Sequence, residues 1–508
     1  MSIGAALGIA TGGLANINRQ LAVISQNVAN AATEGYVRAR GTQTALSADG
    51  LGLGVRSGPA VRDVDTMLRA ELTSQQGRSG GADVRNTALA AIDAMHGVPG
   101  DGTDLPGLLG RLSDSFSSLA TDPSSAAGQS QTLRAAQDLA SGLNGLADAT
   151  LRQRQAAQDG LVADVTALND GLAKIGDLSN RIMTLKAGGM STADLENERD
   201  QAISGVAALT SIKVLEQDNG DVQIVAGNGL NLPIHGTGPA FAIPAATAGA
   251  GAFYPGGGLP GVTMGGVDVT AQLSGGKIGA HVALRDSDMP TFMAELDEFA
   301  FTLASRFNAQ GLALFTDPSG NVPAGGGVPA QAGYVGLALT IQVNTAVAGD
   351  PSLLRDGTHA VAGSPTGASA FTPNPTGGPA GFTGLIHRVL DFALGAEAQK
   401  GVAQAPPNAS GLGPSGTLTA PIGAATTLGD LAGDVVSAQA GAAASAGARA
   451  ELEDSVRTTL KARYADATGV NTDAEMALMV QLQNAYSANA RVITASQAMF
   501  DALLNAVR

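Results

Sequence analysis

The sequence predicts an α+β multidomain protein: long terminal helices forming a coiled-coil end, a mostly helical central domain, and inserted β-rich domains. Three observations predict it. First, Ile3, Leu7, Ala10, Leu14, Ile17, Leu21, Ile24 and Val28 are spaced four, three, four, three, the a/d rhythm of a coiled-coil seam. Second, residues 104–210 repeat long apolar stripes at helical spacing. Third, the remaining text is Gly-punctuated and strand-like.

The first stripe is narrow, so the helix cannot bury it alone and needs another helix beside it. Ser2 is a plausible N-cap, the helix should end near Asn30, and Gly35 suits a turn with positive φ. The last stretch offers a partner. From Met479, residues Leu482, Tyr486, Ile493, Phe500, Leu503 and Val507 keep a similar spacing, interrupted by polar Asn489 and Ser496. Each Leu or Ile buried in such a seam contributes roughly 1.5–3 kcal/mol. Isolated helices of this kind are marginal, which predicts disordered ends in a free subunit and helices in an assembly.

Between the ends the chain reads in order as follows. Residues 42–67, with Gly50, Gly52 and Gly54 and then Val55-Arg56-Ser57-Gly58-Pro59-Ala60-Val61, suggest a β-hairpin or extended arm. Helical pattern returns over residues 63–95. Leu108, Leu112, Phe116 and Leu119 line one face, Asp122-Pro123 breaks it, and Ser124 or Ser125 restarts it. Leu133, Ala136, Ala140 and Leu143 follow; then Leu161, Val165, Leu168, Leu172, Ile175, Ile182 and Leu185 make a long stripe that Gly188-Gly189 ends. A further helix starts at Ser191 or Thr192. Residues 214–225 read as a hairpin closed by Asn219-Gly220. β text continues to Leu273, and a helix then carries Phe292, Leu296, Phe299, Leu303 and Phe307 on one side. Residues 316–427 are rich in Gly, Pro, Ala and Thr, with one strand over Leu339–Asn344 and a short helix over Leu385–Leu390. Helical text resumes at Leu428.

The 508 residues suffice for roughly three or four domains. Aromatics are 3 % and Trp is absent, so cores must be built from Ala, Leu, Val and Ile. Net charge of −15 argues against a basic nucleic-acid footprint. Cysteine is absent, which excludes disulfide staples. The chain opens on no basic segment with a cleavable apolar core, and no run approaches the ~18–20 apolar residues of a membrane span. His96, His235, His281, His359 and His387 show no metal-ligand spacing and read as dispersed surface or half-buried residues. Gly275-Gly276-Lys277 lacks the spacing of a phosphate loop, and Asp317-Pro318-Ser319-Gly320-Asn321 is a β-turn rather than a calcium loop. No catalytic constellation, cofactor site or metal site is expected.

Two segments carry a family resemblance. Asn27-Val28-Ala29-Asn30-Ala31-Ala32-Thr33-Glu34-Gly35-Tyr36 resembles the signature after the first helix of flagellar rod, hook and hook-associated proteins: Asn-x-Ala-Asn, then Thr-x-Gly-Tyr. The run from Gly469-Val470-Asn471 to Leu504, including Gln483, Ala485, Tyr486, Ala488, Asn489, Ala490, Arg491, Val492 and Ile493, is similar to the matching end of those proteins. The helical block, with Asp194-Leu195-Glu196-Asn197-Glu198-Arg199-Asp200, resembles the hook-associated FlgK family, where an acid usually stands at Asn197. Read without the resemblance, that segment is a solvated helix start with Arg199 paired to a neighbouring carboxylate. Gly276-Lys277-Ile278-Gly279, Arg285-Asp286 and Leu296-Asp297 with Ala300, before Asn308 and Gly311, also resemble the FlgK pattern.

The resemblance implies a secreted structural subunit of the flagellum at the hook–filament junction, exported unfolded by the flagellar type III apparatus and assembled through its terminal helices. The implied interface comprises Leu7, Leu14, Ile17, Leu21, Ile24, Val28, Asn27, Asn30, Thr33, Gly35, Tyr36, Leu482, Tyr486, Ile493, Phe500 and Leu503. Implied partners are copies of itself in a ring or helical layer, the hook protein, the next hook-associated junction protein, and an export chaperone at the C-terminal helix. Nucleic acid and membrane insertion are not expected. A hook or distal-rod protein is the alternative within the class, disfavoured by the helical block; a secreted hydrolase housed in residues 316–427 is the remote one. The expected division is terminal axial helices (1–40 with 470–508), a helical core with a β-hairpin arm (41–215, 281–315 and 428–469), a β-rich segment (216–280) and an outer domain (316–427).

Overall fold

A computed structural model describes residues 3–506 apart from 49–50, 98–99 and 424. The expected N-cap Ser2, the turn residue Gly50 and the final stripe residue Val507 therefore lie outside the described residues. Helix α1 (Ile3–Ala29) leads into a short antiparallel pair, β1 (Ala39–Arg40) with β4 (Val61–Arg62). Between these, β2 (Gln43–Ala48) and β3 (Leu51–Ser57) form the expected hairpin arm. The arm lies along α1. Gly54 takes a φ of +113°, a backbone that glycine adopts cheaply, where the arm passes Ile9.

Helix α2 (Thr66–His96) starts at Asp65, whose carboxylate accepts from the Met67 and Leu68 amides. Helix α3 (Leu105–Thr121) buries Leu105, Leu108, Leu109, Leu112, Phe116 and Leu119. As expected, Asp122-Pro123 ends the helical run, and Ser125 caps the next helix by accepting from the Gly128 amide at 3.2 Å. The two stripes beyond it fuse into one 62-residue helix, α4 (Ala126–Ala187), followed by α5 (Ala193–Leu209). The Asn219-Gly220 hairpin is present as β5 (Ile212–Glu216) and β6 (Val222–Ala226), with β7 (Asn231–Leu232) beyond. Three small strands follow: β8 (Phe241–Ala242), β9 (Thr263–Met264) and β10 (Val267–Asp268). Then come α6 (Gly276–Ala283), a π-helical stretch over Leu284–Asp288, and α7 (Met289–Ala309).

Residues 316–427 hold only short elements. Helices α8 (Leu337–Thr340), α9 (Thr345–Gly349), α10 (Leu353–Asp356) and α11 (Gly384–Arg388) alternate with the pairs β11 (Phe315–Thr316) with β12 (Gln342–Val343), β13 (Glu397–Gln399) with β14 (Val402–Ala403), and β15 (Ser410–Leu412) with β16 (Leu418–Thr419). The strand expected over Leu339–Asn344 shrinks to Gln342–Val343, because Leu337 and Ala338 turn helical to reach the core. Helix α12 (Leu428–Thr468) opens with a capping box between Thr427 and Asp430, and α13 (Thr472–Ala506) completes the described chain.

Two large cores share α4. The first joins α3, the first half of α4, α7 and the start of α12 to Tyr334, Leu337, Ile341, Leu354, Leu385, Ile386, Val389 and Leu412. Residues 316–427 thus contribute their apolar side chains to the same core as the helices. The second joins the later half of α4 to α5, β5, β6 and Phe241. Small residues set how closely α2 joins this body. A Cβ at Gly77 would lie 2.8 Å from the Ala207 carbonyl oxygen, and one at Gly81 2.7 Å from the Gly276 oxygen, so glycine lets two backbones approach α2. Gly81→Ala should destabilise the body by about 1–3 kcal/mol through overpacking, read as a lower thermal midpoint.

Candidate assembly interface

The stripes at the two ends of the chain meet each other. Helix α1 packs along α13 within one molecule, so the helix that α1 needs is supplied by the other end of the same chain. Asn27 lies against Glu475 and Gly13 against Asn489, which makes the pair antiparallel. Ala10, Ile17 and Ile24, seven apart, are buried, while Ile3, Leu7, Leu14, Leu21 and Val28 beside them are half-buried.

On α13, Leu482 and Ile493 are half-buried in the seam together with Leu478, Ala485 and Asn489. The polar positions that interrupt the stripe belong to it. A Cβ at Gly13 would sit 3.3 Å from Asn489 Oδ1, and Ser496 is buried. Asn and Ser are tolerated there because α1 presents Gly and Ala rather than bulky side chains. Tyr486 is 41 % exposed, off the seam. Phe500 and Leu503 are 56 % and 57 % exposed.

The junction below α1 is built around Asn27, buried to 1 % exposure. Its Oδ1 accepts from the Ala39 amide at 3.0 Å and the Tyr36 hydroxyl at 3.1 Å. Its Nδ2 donates to the Ala39 carbonyl at 2.8 Å and to Glu475 Oε2 at 3.3 Å. A carboxamide has both a donor and an acceptor end, so one side chain closes the Ala39 peptide and still reaches α13. Glu475 is itself 1 % exposed, and Arg38 Nε meets its Oε1 at 2.5 Å. A buried carboxylate held by a cation and an amide has the partners that burial demands. Burial first, then Asp194 and Glu475, raises the Tyr36 phenol above its ordinary pKa.

The rest of the signature shapes the turn. Asn30 accepts at its carbonyl from the Thr33 amide at 2.9 Å and at Oδ1 from the Thr33 hydroxyl at 3.2 Å. Thr33 O accepts from the Tyr36 amide, and Gly35 takes φ +77°, a backbone that only glycine adopts cheaply. Thr33, Glu34 and Gly35 face solvent in a cleft of about 1610 Å³ that β5, the start of α2 and the end of α12 also line.

The acidic segment at the start of α5 has a different role from the one its letters suggest. Arg199 is buried and, among the described residues, pairs with no carboxylate; it donates to the Gly220 carbonyl at 2.7 Å. Glu196 and Asp200 serve Arg62 instead, at 2.9 and 2.7 Å, while Asn197 Oδ1 accepts from the same guanidinium at 3.1 Å. Arg69 adds a bond to Asp200 at 3.2 Å. This fork ties the arm to the helical body. Arg38, Arg62 and Glu475 were not singled out by sequence reasoning. Lone charges on a polar surface carry no period, and only the fold shows that they are buried or shared.

Among the described residues no group of three or more His, Asp or Glu could hold a metal ion, and no helix is long and apolar enough to cross a membrane. The histidines are dispersed, but His96 is buried rather than superficial, since α12 covers the end of α2.

Comparison with known proteins places this architecture. Residues 89–320 match the family model described as the flagellar hook-associated protein FlgK helical domain, and residues 462–506 match the flagellar basal body rod FlgEFG protein C-terminal model. Both models describe flagellar proteins. The Escherichia coli K12 flagellar hook-associated protein 1 is 26 % identical over 539 aligned positions, covering 95 % of both chains. Its Salmonella typhimurium LT2 counterpart is 24 % identical over 59 % of this chain and 55 % of its own length. A Burkholderia pseudomallei structure titled as the flagellar hook junction protein FlgK aligns with TM-score 0.40 and 22 % identity, over 50 % of this chain and 46 % of that one. Over nearly its whole length the chain is similar to the Escherichia coli flagellar hook-associated protein 1, and its residues 89–320 match the FlgK helical-domain model.

Asn27→Ala leaves the Ala39 N–H and C=O without side-chain partners, at about 1–3 kcal/mol for each buried group. The expected result is earlier proteolysis within residues 30–40 and a lower unfolding midpoint, with the body unaffected.

Proposed function

We propose that this chain is a structural subunit of the flagellar hook–filament junction that joins its neighbours through the paired terminal helices. It is similar to the Escherichia coli hook-associated protein 1 along nearly its whole length, and its residues 89–320 match the helical-domain model of such proteins. The relatives are structural components of the flagellum, not enzymes. The match to the helical domain also favours a hook-associated protein over a hook or distal-rod protein.

The observation that carries the assembly mode is the uncovered apolar surface of the terminal pair. Met499, Phe500, Leu503 and Leu504 are each more than half exposed, and Leu7, Leu14 and Leu21 stay half-covered after α13 has packed. Helix α1 has one charged side chain, Arg19, in 27 residues. A surface of this kind on a single chain marks a place where another chain binds. In this reading the pair lies in the wall of a central tube, with residues 1–40 and 470–508 as its unit, and the seam continues between subunits as a coiled coil. The helical body makes lateral contacts and residues 316–427 face outward. The subunit is secreted unfolded, meets the hook protein on one side and the next junction protein on the other, and gives its C-terminal helix to an export chaperone beforehand.

Removal of residues 1–28 or 479–508 should leave the body folded, as read by circular dichroism, while a strain carrying the truncated chain makes hooks and sheds filament monomers. Normal filaments in that strain would reject the assembly role. In the free subunit α1 and α13 should exchange amide hydrogens far faster than α4, and slow exchange at both ends would contradict their ordering on assembly.

A further inference from the structure

Three helices of the body meet over a chain of buried polar groups that the assembly role does not use. Gln439 on α12 donates from Nε2 to Glu295 Oε2 on α7 at 2.9 Å. Gln439 Oε1 lies 2.9 Å from His96 Nε2 at the end of α2. An amide oxygen only accepts, so this bond places the hydrogen on His96 Nε2 and leaves Nδ1 bare in the neutral ring. Glu295, Gln439 and His96 are 0 %, 1 % and 4 % exposed. Neither Glu295 Oε1 nor His96 Nδ1 has a hydrogen-bond partner among the described residues.

The surroundings supply no counter-charge. The charged groups acting on His96 are Asp93 and Asp104, both acidic, and Glu295 is influenced by burial and Gln439 alone. Its neighbours on α7 are engaged elsewhere. Asp297 accepts from the Gly336 and Ala338 amides at 2.7 and 2.8 Å, and Glu298 accepts from the Tyr334 hydroxyl at 2.8 Å and the Asn408 amide at 2.7 Å. A buried carboxylate with one amide bond and no cation is costly, and binding a proton removes the cost.

We propose that Glu295, Gln439 and His96 form a proton-operated clasp, closed when Glu295 holds a proton and loosened between α7 and α12 when that proton leaves to bulk water. The clasp sits near the start of α12, whose other end passes through Thr468 into α13, so its state bears on the segment that carries the terminal pair. Burial raises the Glu295 carboxyl to about 7 and lowers His96 below its ordinary 6.5. The folded chain therefore keeps a proton on Glu295 that the unfolded chain gives up from about pH 4.5. Its stabilising contribution is full below that pH and is lost as pH rises through about 7. His96 acts in the opposite direction: an unfolded imidazole is half charged at pH 6.5, which shifts the balance by at most about twofold between pH 6.5 and 8. Over that window the larger glutamate contribution sets the sign. Asp297 is also raised to about 7, by burial above all, and needs its own control.

Hydrogen exchange of the full chain at pH 6.5 and 8, corrected for the intrinsic pH dependence, tests this. Segments around Gln439 and His96 should open about twofold more at pH 8: about fourfold from a carboxyl near 7 losing its proton, offset by about twofold from His96. Glu295→Gln should remove that increase, leaving only the opposite His96 effect, and Asp297→Asn should keep it. Equal opening of the wild-type segments at both pH values, or an increase toward pH 8 that survives in Glu295→Gln, overturns the proposal. If Glu295→Gln does not fold, infrared titration of Asp297→Asn decides: a protonated carboxylic-acid band present at pH 6.5 and gone by pH 8 supports the clasp, and its absence at pH 6.5 refutes it.

Discussion

The molecule depends on bringing two helices from opposite ends of a 508-residue chain side by side and holding them there. Neither helix has a wide enough apolar face to stand alone, and closing so long a loop carries an entropic cost. The contact that secures the closure is polar. Asn27 completes the peptide of Ala39 and reaches Glu475, and Arg38 neutralises that carboxylate. A purely apolar seam of Ala and Leu would slide by a heptad at little cost. A buried carboxylate that must find one amide and one guanidinium does not, so the polar knot sets the register.

The same division of labour recurs where the arm meets the body. Apolar residues fill the two large cores around α4, and among the described residues none of the apolar clusters includes a residue of α1 or α13. The link between terminal pair and body is made by Arg62 with Glu196 and Asp200, by Lys461 with Glu34, and by Gln26 with Asp194 at 2.7 Å. Polar links beside a wide cleft are weaker than packed apolar ones and lose more to water and salt.

Much of the architecture was legible in the letters. The a/d spacing of α1, the break at Asp122-Pro123, the Asn219-Gly220 hairpin and the capping of α4 by Ser125 are local signals, and each appears where it was read. The signature from Asn27 to Tyr36 marked the right turn. Misreadings came where long-range packing outweighed local pattern. Leu339 and Thr340 look like strand residues but finish a short helix whose Leu337 and Ala338 fill the core beside Phe307. Arg199 looks like half of an exposed ion pair but caps a hairpin carbonyl from a buried position. On α13 the contact with α1 also takes in polar Asn489, which glycine at position 13 admits, while Tyr486 and Phe500 stay exposed.

By itself the sequence determined which long segments are helical, which residues of them are apolar at helical spacing, and that Gly35 makes a turn, since these follow from periodicity and backbone sterics within a few residues. Tertiary structure alone decided that the two terminal stripes face each other, that Glu475 and Arg38 complete the Asn27 knot, and that Glu295 lies buried against Gln439. Those outcomes depend on which distant groups share one small, water-poor volume, and no local spacing encodes that.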